Sequence, residues 1–175
     1  MLKQLLNQLT IIDTLNESAF PYRLINSGYY VCFSHTSAHK KNSVSKHAAQ
    51  TINKLMSSEV AVVISGHRPA GIDIESNNVV WKVAKRFYSN NELAAICTLP
   101  NTQRDLIATL LWQIKESFIK IHQYTLAQGL GIDYAYLIAD LVSSIEAPLS
   151  PTIISDPKSH YRITVLSDQQ TVVVF

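Results

Sequence analysis

Gly71-Ile72-Asp73-Ile74-Glu75 is an unusual composition for a strand, because two acids alternate with two isoleucines. Side chains alternate along a strand, so Asp73 and Glu75 share one face while Ile72 and Ile74 share the other. Two carboxylates about 4 Å apart repel by about 4 kcal/mol at an effective dielectric of about 20. A cation between them removes that penalty. An oxygen-only pair suits Mg²⁺, which keeps several waters that a phosphate can replace. Two solvated acids on an exposed strand face would explain the stretch equally well when it is taken alone.

The neighbourhood of this stretch reads as mixed structure. Val60 to Ile64 is a continuous apolar strand, Gly66-His67-Arg68-Pro69 a turn and Ala70 to Glu75 a second strand, which predicts a hairpin. Upstream, Leu2, Leu5, Leu6, Leu9, Ile12 and Leu15 recur at helical spacing and predict an amphipathic helix. Pro21 cannot continue it, and Asn26-Ser27-Gly28 marks a turn before a strand over Tyr29 to Phe33. A polar segment, Ser34 to Lys46, leads into a predicted helix from Val44 to Met56. Downstream, helices are predicted over Val80 to Tyr88, Asn90 to Cys97 and Arg104 to His122, with Leu99-Pro100-Asn101 as a break. Ile132 to Val142 reads as a strand, and Glu146 to Ser159, with three prolines, as loop. Tyr161 to Leu166 and Thr171 to Phe175 flank a turn and form a closing hairpin. Hairpins packed on helices give an α+β fold with antiparallel pairing.

Composition narrows the function classes. In 175 residues, 47% are hydrophobic, 16% are charged, and five glycines and six prolines are too few for a disordered or collagen-like chain. A net charge of +2 supplies no field for wrapping nucleic acid. No apolar run reaches about 18 residues, so no membrane span is expected. The N-terminal stretch is interrupted by Gln4, Asn7, Gln8 and Asp13, unlike a signal peptide, so a cytoplasmic chain is expected. Cys32 and Cys97 have no metal-ligand spacing and read as reduced thiols.

The helix over 104–122 sharpens the reading of the acids. Ile107, Leu110, Leu111, Ile114, Phe118 and Ile121 form its apolar stripe. Trp112, Glu116 and Lys120 stand four apart on another ridge. Glu116 and Lys120 alone would be an ordinary surface pair. Trp112 on the same ridge predicts that something covers it.

Three elements in order now resemble a known family. Gly71-Ile72-Asp73-Ile74-Glu75, Lys85-Arg86-Phe87-Tyr88-Ser89-Asn90-Asn91-Glu92 and Trp112-Gln113-Ile114-Lys115-Glu116-Ser117-Phe118-Ile119-Lys120 are similar to the 4′-phosphopantetheinyl transferases of the Sfp type. Those enzymes carry a G-x-D-x-E strand and a W-x-x-K-E-S/A-x-x-K helix; here Glu116 comes 41 residues after Glu75. Ser34-His35 resembles the family's S-H element. The resemblance covers residues 29 to 175. It implies transfer of the phosphopantetheine arm of coenzyme A to a serine of an apo carrier protein, with release of 3′,5′-ADP.

By the same resemblance, Asp73, Glu75 and Glu116 are the expected Mg²⁺ ligands, and Glu116 the expected base for the serine hydroxyl. Lys120 is expected to offset leaving-group charge. Arg23, Ser34, His35, Thr36, Lys115 and Lys120 are expected to contact coenzyme A, Arg23 on the weak likeness of Phe20-Pro21-Tyr22-Arg23 to an adenine-binding loop. His39, His47, His67, His122 and His160 show no ligand spacing. Lys82, Lys85 and Arg86 crowd one helix beside Trp81, either a docking face for an acidic carrier or a solvated helix face.

The departures from the family are equally specific. Only 33 residues precede Ser34, so a shortened N-terminal half (1–69) is expected before a C-terminal half (70–175) that holds the metal site. The segment Ser37 to Ser58 is longer than the family's, and Lys40, Lys41 or Lys46 could replace the missing grip on the 3′-phosphate. The favoured assembly is a monomer of two α/β halves related by a pseudo-two-fold; a trimer with sites between subunits is the alternative. Two other activities compete: a catalytically degenerate binder of coenzyme A or a carrier protein, and a different Mg²⁺ phosphohydrolase.

Overall fold

The computed structural model describes residues 15–16, 20–25, 27–36, 59–79, 81–146, 151–166 and 171–175. The predicted helices over 2–15 and 44–56 therefore lie outside the described residues, apart from Leu15, which is in a strand. The fold is α+β, with two antiparallel four-stranded sheets.

The first sheet has the order β1 (Leu15–Asn16), β2 (Tyr22–Leu24), β3 (Tyr30–His35) and β4 (Val60–Ser65). Gly28, at φ +68°, closes the β2–β3 hairpin in a backbone conformation that favours glycine. Strand β3 runs two residues past the predicted end at Phe33. Ser34 and His35 pair with Ala61 and Val60, so this dipeptide sits on a sheet and not in a polar loop.

The second sheet has the order β5 (Gly71–Ile74), β8 (Thr171–Val174), β7 (Arg162–Leu166) and β6 (Thr152–Ser155). The predicted closing hairpin is present, with Leu166 opposite Thr171. The predicted β4–β5 hairpin is not. Strand β4 pairs with β3 and β5 pairs with β8, so the Gly66–Pro69 turn passes the chain from one sheet to the other. Strand β6 was unread in the sequence because prolines flank it. It is an edge strand, where proline beside a strand costs least.

Between β5 and β6 run α1 (Trp81–Phe87), α2 (Asn90–Cys97), α3 (Asn101–His122), α4 (Leu126–Leu130) and α5 (Ile138–Glu146). Residues 132–142 are not a strand: a short 3-10 turn over Ala135–Leu137 leads into α5. Leu137, Ile138 and Leu141 are buried at helical spacing, and the Asp133 carboxylate accepts the Ala135 amide at 2.9 Å. Helix α3 begins three residues earlier than predicted, directly after Pro100. At 1.5 Å per residue its 22 residues span about 33 Å.

The predicted stripe of α3 is fully buried and packs on β5 and β8, against Val172 and Val174. Trp112 is covered, by Phe87 at 5.9 Å and Tyr88 at 6.5 Å between ring centres. No helix among the described residues is long and apolar enough to cross a membrane.

Candidate active site

Strand β5 lies unusually close to α3. A Cβ on Gly71 would sit 2.3 Å from the Ser117 carbonyl oxygen, so only glycine permits this approach. The contact brings the acidic strand alongside the ridge that carries Glu116 and Lys120. On its other side β5 meets β3: the Ser34 hydroxyl donates to Asp73 Oδ1 at 2.9 Å and accepts from the Ile74 amide at 3.3 Å.

These three elements enclose a cleft of about 690 Å³. Ser34 and His35 enter it from β3, Asp73 and Glu75 from β5 and its end, and Glu116 and Lys120 from α3. Phe20 and Phe33 form an aromatic side. The loop Ser76-Asn77-Asn78-Val79 closes another, held where the Val79 amide donates to Thr109 Oγ1 at 2.8 Å.

Asp73 is only 5% exposed, which excludes the solvated-strand reading for it, while Glu75 is half-buried. Its Oδ1 accepts from Ser34 and from Lys120 Nζ, the latter at 2.8 Å, while Lys120 also donates to the Ile72 carbonyl at 2.8 Å. Its Oδ2 is buried and has no hydrogen-bond partner among the described residues. Burial pushes the Asp73 carboxyl up, and Lys120 and Ser34 oppose that push. Burial raises Glu75 to about 7, with further pushes from the Asp73 and Glu116 charges. Glu116 is raised by burial and then by Asp73, with Lys120 opposing.

The site therefore gathers three carboxylates around one ammonium group. Lost water disfavours the charge on all three acids, and neighbouring carboxylates add to that at Glu75 and Glu116. An oxygen-only donor set with a buried, unpartnered carboxylate oxygen fits a hard divalent cation. Among the described residues, no three acid, histidine or cysteine side chains are already drawn together as a ligating group.

A comparison with protein-family profiles matches residues 69–174 to the 4′-phosphopantetheinyl transferase superfamily. The chain belongs to that superfamily. The matched segment begins at the turn into β5 and ends in β8, so it spans the second sheet and every described helix. No curated protein matches the chain. Membership makes this transferase a phosphopantetheinyl-transferring protein in general terms.

Of the expected coenzyme A contacts, only Ser34, His35 and Lys120 line the cleft of this transferase. Lys115 is elsewhere. It is fully buried, its Nζ 2.8 Å from Glu92 Oε1 and donating to the Leu130 and Ile132 carbonyls. The rings of Tyr88 and Tyr134 stand 5.2 and 5.3 Å from the ammonium group. Burial pushes the lysine down, and Glu92 opposes that push. Arg23 is exposed on β2 and stacks on the Tyr30 ring, 4.3 Å from its centre. Thr36 is buried, and its hydroxyl accepts the Glu59 amide at 3.1 Å. Lys40, Lys41 and Lys46 lie outside the described residues.

The sequence reading missed Gln113, fully buried, whose side-chain amide donates to the Asp73 carbonyl at 3.4 Å. Its signal was available, since it stands three residues before Glu116, within reach of the same end of the site. Phe20, from the stretch likened to an adenine-binding loop, lines the cleft although Arg23 does not, and nothing in the local sequence pointed to Phe33.

Proposed function

We propose that this chain is an Sfp-type enzyme that transfers 4′-phosphopantetheine from coenzyme A to a serine of an apo carrier protein, with Mg²⁺, releasing 3′,5′-ADP. The observation that carries this reading is the convergence of Asp73, Glu75 and Glu116 on one cleft, with Asp73 Oδ2 unpartnered among the described residues. Those three carboxylates would hold the metal. Bound there, Mg²⁺ supplies neutralisation of the pyrophosphate charge.

The chain's own residues account for the remaining chemistry. The carrier serine oxygen attacks the phosphorus that bears the pantetheine arm, forming the new P–O bond as the bond to 3′,5′-ADP breaks. Glu116, half-buried and raised by its surroundings, takes the serine proton directly or through a water. Lys120 has three N–H donors. Two are used on Asp73 and Ile72, and the third is available to the departing phosphate. His35, exposed on the cleft wall, would make a second phosphate contact. Lys82, Lys85 and Arg86 are all exposed on α1 and suit an acidic carrier.

The test is intact-mass analysis of a panel of apo carrier proteins incubated with the protein, coenzyme A and Mg²⁺. A gain of one phosphopantetheine, abolished by Glu116→Ala and by chelator, supports the reading. No gain on any carrier, with coenzyme A still bound, would instead favour a degenerate binder.

A further inference from the structure

Ser34 is the point at which the two sheets meet at the site, and the structure gives its hydroxyl a partner other than a cofactor. We infer that Ser34 is a positioning residue: it acts through Asp73, setting the affinity of the carboxylate cluster for a divalent cation. The inference rests on the metal reading of the cleft given above.

Asp73 Oδ1 receives two donors from opposite sides, the Ser34 hydroxyl of β3 at 2.9 Å and the Lys120 ammonium of α3 at 2.8 Å. Two donors on one oxygen fix the carboxylate rotamer and leave the second oxygen, Oδ2, without a partner among the described residues. Ser34 is itself fixed, because its oxygen also accepts from the Ile74 amide at 3.3 Å and the residue is 6% exposed. A hydroxyl has one proton. Since Asp73 Oδ1 accepts it, Ser34 has none left for an incoming phosphate. A carboxylate held this way offers its free oxygen at low entropic cost, the usual part of a group that orients a metal ligand.

The experiment titrates the purified, chelator-stripped protein with Mn²⁺ alone, read by electron paramagnetic resonance. A parallel calorimetric titration measures coenzyme A binding in chelator. Ser34→Ala is expected to weaken Mn²⁺ binding by about 10–100-fold, the range for losing a group that orients a ligand. Ser34→Thr, which keeps the hydroxyl, is expected to restore most of it. Coenzyme A binding in chelator should stay within about twofold, a tolerance of roughly 0.4 kcal/mol. Should the alanine variant not fold, Ser34→Cys reads the same trend with a weaker donor.

Unchanged Mn²⁺ affinity in a folded Ser34 variant would overturn the inference while leaving the metal reading intact. Loss of coenzyme A affinity in chelator would make Ser34 a direct cofactor contact and also overturn it. A wild-type chain that binds no Mn²⁺ would remove the metal reading, and the role of Ser34 with it.

Discussion

Replacing Lys115 with methionine separates a buried structural cation from a phosphate ligand. Methionine keeps the length and apolar stem of the side chain but leaves the Glu92 carboxylate with only the Ser89 and Tyr134 amides, both at 2.8 Å. The Leu130 and Ile132 carbonyls lose their ammonium donor in the same step. Breaking one side of a buried ion pair costs about 3–5 kcal/mol. For a chain of this size that corresponds to a fall in Tm of about 6–20 °C. Against a total stability of about 5–15 kcal/mol, such a loss is a large share of the whole. The assay is thermal and urea unfolding of the wild type, Lys115→Met, Glu92→Gln and the double variant. The double variant should lose much less than the two single losses added together, because neither charge is then stranded. If Lys115→Met shifts Tm by under about 2 °C, equivalent to less than 1 kcal/mol, and instead raises the KM for coenzyme A, the buried-pair account is wrong.

Three further outcomes are expected. Gly71→Ala places a methyl group 2.3 Å from the Ser117 carbonyl, so β5 must move off α3. The expected cost is about 1–3 kcal/mol, read by unfolding, with transfer activity falling further than stability because Asp73 moves with the strand. Glu75 binds its proton more tightly in the folded chain than its ordinary value of 4.5 allows, with a folded value of about 7. Metal-free protein should therefore lose stability as pH rises from about 4.5 to 7 and stay at that lower level above it. Glu75→Gln should flatten that slope in chelator, and Mg²⁺ should restore stability to the wild type above pH 7. A slope that survives the substitution would assign it to another group. Charge reversal at Lys82, Lys85 and Arg86 should raise the KM for an acidic carrier by about tenfold at low salt, leave that for coenzyme A unchanged, and lose its effect as salt screens the face. An equal effect at high salt would exclude steering.

Periodicity made α3 and the closing hairpin legible in the sequence. Helix α3 repeats its apolar positions over about four turns, and the last two strands are separated by a short polar turn. The acids were legible only in combination, because Asp73 and Glu75 alone read equally well as a solvated strand face and needed the Trp112, Glu116 and Lys120 ridge beside them. Sheet assignment was not. Val60–Ser65 and Gly71–Ile74 are adjacent in sequence and look like a hairpin, yet the contacts that place β5 run to Ser34, Gln113 and Lys120, each roughly forty or more positions away. Lys115 misled for a related reason. A lysine beside Glu116 in the sequence reads as one polar unit, while its partner Glu92 lies in another helix. Residues 132–142 form a short apolar run, and the period of such a run does not distinguish helix from strand.

Lys115 and Glu116 are consecutive, and a helix turns by roughly 100° from one residue to the next. One of them therefore goes to the core while the other reaches the cleft. A helix resting on a sheet can roll about its own axis, and a stripe of aliphatic side chains resists small rolls only weakly because it is slippery and nearly uniform. An ammonium group seated between a carboxylate and two carbonyls is directional, so it acts as an angular index mark for α3. Through that mark the azimuth of Glu116 is set from a different face of the helix. A one-residue insertion or deletion between the two turns that hold Gln113 and Lys120 would keep every residue type and still swing part of that ridge out of the cleft.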